Sequence, residues 1–186
     1  MNINKLSSFE ICILAGGTSS RMGTDKARLR VGRRTLLGII RGEAGKLGVK
    51  VRVIRRDLVE RCGPLGGIFT GLKTTRCNAV LFLACDMPLI SVDLLLKVLS
   101  QLSPGTGAVF VQSKSAGFPF VLRKELLAVV EEQIAAKAFS IHQLCRALQA
   151  KTYQPDESEM AQLSNINTPQ EWGGLRKKLS TGPAKP

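Results

Sequence analysis

The chain has 186 residues, 44% of them hydrophobic and 22% charged. This suits one domain and excludes a disordered or low-complexity protein. No apolar run approaches the roughly 20 residues that span a bilayer, and Met1–Glu10 lacks the apolar core of a secretory signal, so a cytoplasmic protein without membrane contact is expected. Twenty-seven Lys and Arg face fourteen Asp and Glu, a net charge of +13, which attracts polyanions such as nucleic acid, a membrane surface or phosphorylated small molecules.

Ile11–Ala15 is a short apolar run stopped by Gly16 and Gly17, which reads as a buried strand entering a loop. Leu29 and Val31 alternate with Arg28 and Arg30 in a short extended piece. Thr35–Leu47 has helical apolar spacing despite three glycines, each worth roughly 1 kcal/mol against a helix. Val49, Val51 and Val53 alternate with basic residues, predicting a strand with one wet face. Ala79–Cys85 is continuously apolar, as strands covered on both faces are.

Ser91 is placed to cap a helix running to about Leu102. Ala108–Val111 predicts a strand, and Pro119–Leu122 an edge strand, where proline is tolerated. Arg123–Ala136 and Ser140–Leu148 predict amphipathic helices. Thr168-Pro-Gln-Glu171 predicts a capping box opening a last helix. From Ser180 the composition predicts a disordered tail over 180–186, leaving one domain over 1–179.

Alternating strands and helices predict a mostly parallel, three-layer α/β sheet. Ligands then sit beyond the carboxyl ends of the strands, which brings together the loops after Ala15 and Cys85. The five cysteines show no C-x-x-C pair and read as reduced, buried hydrophobes. His142, the only histidine, reads as a surface residue, and Glu131 and Glu132 as surface charge. Phe118 and Phe120 flank Pro119, and core packing is expected for at least one of them.

The positive charge is uneven. Residues 26–61 hold twelve basic residues against three acidic ones, and Arg176–Lys185 adds four with no acid. Aromatics are only 5%, too few for the stacking platforms of single-strand binders. A phosphate-bearing small ligand is therefore favoured over nucleic acid. The loop Leu14–Lys26 supplies the means: glycines bring backbone amides close to an anion, and Arg21 and Lys26 suit phosphate oxygens. Asp86, at the end of the apolar run, suits a Mg²⁺ bridging protein and triphosphate. It equally suits a cap on the turn before Pro88, and spacing alone does not choose.

L-A-G-G-T-S-S-R-M-G-T-D-K (residues 14–26) is very similar to the signature of the molybdenum cofactor guanylyltransferases, the MobA-like nucleotidyltransferases. Three further segments resemble that family's motifs in order: Gly63-Pro-Leu-Gly-Gly67, Ala84-Cys-Asp-Met-Pro88 and Asn165-Ile-Asn-Thr-Pro-Gln-Glu171. The resemblance spans roughly residues 9–179. It implies a Rossmann-like nucleotidyltransferase fold and transfer of GMP from GTP to the phosphate of molybdopterin, with release of pyrophosphate.

It further implies roles by position. Leu14, Ala15, Gly16 and Gly17 cradle the nucleotide. Arg21 and Lys26 hold the triphosphate and the departing pyrophosphate. Gly63, Pro64 and Leu65 line the ribose and base pocket, and Asp86 ligates Mg²⁺. Asn165 and Asn167 lie near the second substrate or the metal. Contact with molybdenum-insertion proteins is implied as well.

One segment departs from the family pattern. Only about fifteen residues separate Leu47 from Gly63, where the family usually has two strands, so one strand and the asparagine that ends it near the base are missing. Arg56 stands where the family carries an aspartate for the guanine nucleotide, with Asp57 beside it as a substitute after a small register shift. Two alternatives follow: transfer to or from another base or acceptor, such as cytidylyl transfer to molybdopterin, or a non-catalytic nucleotide- or polyanion-binding derivative.

Overall fold

The computed structural model describes residues 8–16, 29–166, 168 and 170–174. Gly17, Arg21, Lys26, Asn167 and the expected tail 180–186 lie outside them. The elements run β1 (Phe9–Leu14), β2 (Arg30–Val31), β3 (Arg34–Thr35), α1 (Leu36–Gly45), β4 (Val51–Ile54), α2 (Pro64–Thr74), β5 (Ala79–Ala84), α3 (Val92–Ser100), β6 (Ala108–Gln112) and β7 (Ala116–Arg123). After a 3₁₀ turn at Lys124–Leu126 follow α4 (Leu127–Ala135), α5 (Ile141–Ala147), β8 (Lys151–Tyr153) and α6 (Glu157–Gln162). Residues 170–174 are again helical. None of the described helices is long and apolar enough to cross a membrane.

Six strands form one sheet in the order β4-β1-β5-β7-β6-β8, and β2 and β3 form a separate hairpin. The pairs β1–β4, β1–β5 and β6–β8 are parallel, while β7 runs antiparallel between β5 and β6. Strand alternation explains the two apolar layers. Phe9, Ile11, Ile13, Leu81, Val109 and Val121 face the layer holding α1 and α3. Cys12, Val80, Phe82, Phe110, Phe120 and Leu122 face the layer of α2, α4 and α5. The three-layer α/β expectation is met.

Side-chain caps set the helix starts. Thr35 accepts from Gly38 N, Ser91 from Leu94 N, and Ser140 forms a full capping box with Gln143. Thr168 and Glu171 exchange the same reciprocal bonds, at 2.9 and 3.2 Å. α2 has a different start: its N-cap Gly63 sits at φ +61° with no side-chain bond, a backbone state that favours glycine.

Three expectations need correction. The strand containing Pro119 is interior, not an edge. Proline is accommodated because the register shifts at Phe110/Val111, so that Phe120 pairs with Phe110 but Gly117 with Val111. The presumed wet face of β4 is covered, because Arg52 reaches α2 and Glu10 of β1. Of the five cysteines, none in a disulfide, Cys77 and Cys85 are only half-buried. The fully enclosed Cys12 thiol is pushed by burial up to about 12, the Arg52 guanidinium opposing, which keeps it unreactive. Phe120 is fully buried, and Phe118 packs against it with centroids 4.8 Å apart and ring planes tilted by 43°. His142 and Glu132 are exposed, and Glu131 pairs with Lys73 on the surface.

α2 lies close on the sheet because glycines face it. A Cβ on Gly71 would stand 2.7 Å from Phe82 Cε1 and 3.4 Å from Cys12 Sγ, all in the closed core. Gly71→Ala is expected to lower stability by about 1–3 kcal/mol in urea denaturation, because overpacking outweighs the helix-propensity gain.

Candidate functional site

Strand register brings three loops to one sheet edge. Leu14, the last residue of β1, lies opposite Ile54 of β4 and Ala84 of β5. The ladder continues one step further: Ala15 N donates to Ile54 O (2.8 Å) and Cys85 N to Leu14 O (3.2 Å). The segments after Leu14, Ile54 and Ala84 therefore leave side by side at the carboxyl ends, where α/β sheets bind ligands.

The first two touch directly. A Cβ on Gly16 would meet the Arg55 carbonyl oxygen at 3.1 Å, so glycine lets β1 turn against the β4 loop. Asp57 sits in the same crevice. Its carboxylate lies over the first turn of α2, where a Cβ on Gly66 would come within 2.8 Å of the carboxyl carbon, and its Oδ1 is near Gly16. Thr70 ties the loop down, accepting from Leu58 N (2.9 Å) and donating to Gly66 O (2.7 Å). Burial raises the Asp57 carboxyl above its ordinary value.

The residues of the second glycine motif are placed unequally. Gly63 is exposed and Pro64 half-buried, but Leu65 is wholly enclosed in the core. Only the backbone of Leu65 is available to a ligand. Leu14 is likewise half-buried, with its side chain under Gly67.

Asp86 follows β5 at the same edge and is half-buried. Its loop is anchored in the core by Met87 and Ile90, each 4% exposed. Its carbonyl accepts from Ile166 N at 2.9 Å, so the closing motif docks beside it, with exposed Asn165 one residue away. Ile166 seats between Leu36, Leu29, Leu89 and Trp172. No group of three or more His, Cys, Asp or Glu that could hold a metal occurs among the described residues. A Mg²⁺ does not need one: it takes hard oxygen donors and is usually held by one or two carboxylates plus substrate phosphates. Asp86 offers such a donor.

Asn165 carries no signal of its own; its place in the closing motif marked it. The helix α6 was missed, although Asp156-x-x-Glu159 is itself a capping-box pattern and forms one.

The MobA-like NTP transferase domain family matches residues 11–55 and 40–152 of the chain. The chain is 29% identical over 183 residues to the probable molybdenum cofactor guanylyltransferase of Flavobacterium johnsoniae, covering 90% of this chain and 96% of that protein. It is 32% identical over 178 residues to the molybdenum cofactor guanylyltransferase of Xanthomonas euvesicatoria, covering 88% and 92%. Among solved structures, molybdopterin-guanine dinucleotide biosynthesis protein A from Archaeoglobus fulgidus superposes with a TM-score of 0.75 at 18% identity, over 92% of this chain and 98% of that one. The 4-diphosphocytidyl-2C-methyl-D-erythritol synthase of Anaerococcus prevotii superposes with a TM-score of 0.72 at 17% identity, over 94% and 99%. The fold is thus shared by proteins named for guanine and for cytidine nucleotides, while the sequence match is with one family: the chain belongs to the MobA-like NTP transferases.

Proposed function

We propose that the protein transfers GMP from GTP to the phosphate of molybdopterin, giving the guanine dinucleotide form of the cofactor and pyrophosphate. An oxygen of the acceptor phosphate forms a bond to the α-phosphorus, the α–β anhydride bond breaks, and pyrophosphate carries away the electron pair. The observation that supports this most is the meeting of the Gly16 turn, the Gly63 motif and Asp86 at one sheet edge, with the closing motif bonded to the Asp86 carbonyl.

Phosphoryl transfer of this kind asks a protein for alignment and charge neutralisation more than for covalent chemistry. The amides around Ala15 and Gly16, with Gly17, Arg21 and Lys26, cradle the triphosphate. Asp86 holds Mg²⁺, which when bound neutralises charge on the phosphates. Asn165 and Asn167 serve the second substrate or the metal. Gly63, Pro64 and the Leu65 backbone border the nucleoside.

Asp57 selects the base in this scheme. A carboxylate is acceptor-only, and the guanine edge offers two adjacent donors. Asp57→Asn is expected to weaken GTP binding by about 2 kcal/mol, some thirtyfold, and to narrow the margin over CTP. It should also raise the melting temperature slightly at neutral pH. Because the folded-state value is raised, the folded chain holds that proton to higher pH, and stability falls as pH rises through it. An amide removes this cost. Melting curves at pH 7 read the sign.

Calorimetric titration of GTP, CTP and ATP with Mg²⁺ tests the whole reading. Selective GTP binding followed by turnover with molybdopterin is the expected result. Preference for CTP would point to cytidylyl transfer, and no nucleotide binding would point to a non-catalytic derivative.

A further inference from the structure

A buried carboxylate with exposed charged partners lies outside the nucleotide edge. Glu159 of α6 is 3% exposed. Its carboxylate accepts from Lys97 Nζ of α3 (2.5 Å), from Tyr153 Oη at the end of β8 (2.9 and 3.0 Å) and from Asp156 N (2.9 Å). One side chain thereby joins α6 to α3 and β8. Three residues on, Gln162 Oε1 accepts from Ser91 N at 3.0 Å. Ser91 caps α3 and closes the loop that begins at Asp86. Four residues further, Ile166 N reaches the Asp86 carbonyl.

The chain between Gln162 and Asn165 is three steps, which span at most about 11 Å. Where α6 sits therefore limits where Asn165 stands relative to Asp86. Stability alone does not account for the cluster. Withdrawing a carboxylate from water costs several kcal/mol, and well-packed apolar residues are often as stable or more so. What paired charge and directional bonds add is a fixed geometry.

We propose that Glu159 is a positioning residue for the acceptor side, acting through the Gln162–Ser91 and Ile166–Asp86 bonds to hold Asn165 against Asp86. This rests on the transferase reading above. The backbone cradle for GTP belongs to other elements, β1, the β4 loop and α2, and Asp86 keeps its own core anchors in Met87 and Ile90, so the two substrates should respond differently.

The test uses the full chain with GTP, Mg²⁺ and molybdopterin, and compares Glu159→Gln, Asn165→Ala, Asp86→Ala and the Glu159→Gln/Asn165→Ala double variant. Glu159→Gln is expected to lower kcat/KM for molybdopterin about 10–100-fold, the scale of a misplacement of about 1 Å, with the GTP dissociation constant unchanged. The double variant should be no worse than Asn165→Ala, because residues acting as one unit are not additive. Should Glu159→Gln fail to fold, the surface partner serves: Lys97→Met should reproduce the loss and Lys97→Arg should restore it. Additive losses, or GTP affinity falling in step with turnover, would overturn the proposal in favour of a merely structural role. Wild-type turnover in Glu159→Gln beside a crippled Asn165→Ala overturns this inference alone, whereas wild-type turnover in both Asn165→Ala and Asp86→Ala overturns the site reading beneath it.

Discussion

Asp86→Ala is expected to reduce nucleotidyl transfer about a thousandfold or more, roughly 4 kcal/mol of transition-state stabilisation, while the unfolding curve stays where it is. The second half of that expectation comes from the way the loop is held. Met87 and Ile90 anchor it in the core, and the closing motif bonds to the backbone carbonyl of residue 86, which alanine keeps. Both of these supports survive the substitution. Asp86→Asn distinguishes charge from shape: with the amide in place of the carboxylate, an equal loss identifies the negative charge as the working element. Pyrophosphate release measured beside a circular dichroism melt reads both quantities. Wild-type turnover in the alanine variant would remove Asp86 from the mechanism.

The parts legible in the sequence share a physical trait: their signal is local. Ile11–Leu14 of β1 and the whole of β5 are continuous apolar runs because both faces are covered, and α1, α3 and α5 follow Thr35, Ser91 and Ser140, whose side chains cap the first turn. Apart from α6, whose capping box is local, what was missed depends on distant partners. α2 opens Pro64-Leu-Gly-Gly, a poor helix by propensity. It forms because Gly67 and Gly71 let it lie close against Leu14 and Phe82. β8 is three residues with one large apolar side chain, and its pairing with β6 decides it. Pro119 in an interior strand needs a bulge that no residue of its own strand announces. At the site, the glycine motifs and Asp86 could be read from spacing and resemblance, but the seating of Asp57 between Gly16 and Gly66 and the Ile166–Asp86 bond arise from chain segments far apart in sequence.

Arg52→Met is expected to destabilise the protein by about 3–5 kcal/mol, the usual cost of stranding a buried charge. For a chain of this size that lowers the melting temperature by about 6–20 °C. Glu10 stands on the central strand β1 at 2% exposure. Arg52 of β4 reaches it at 2.5 Å, and its guanidinium also donates to Gly71 O (2.9 Å) and Thr74 Oγ1 (2.7 Å) at the end of α2. Among the described residues Lys50 also approaches Glu10, but at 3.9 Å and on a side chain 71% exposed, too wet to replace Arg52. β4 is the terminal strand of the sheet, and it stands alone between α1 and α2. A single guanidinium therefore ties that strand both to its neighbour and to the helix above. The double variant Glu10→Leu/Arg52→Met separates charge from packing. If the loss is that of an unpaired carboxylate, removing both charges should recover most of the stability. A loss below about 0.5 kcal/mol in the single variant, the scale of ordinary surface substitutions, would mean that the pair does not hold β4 in place.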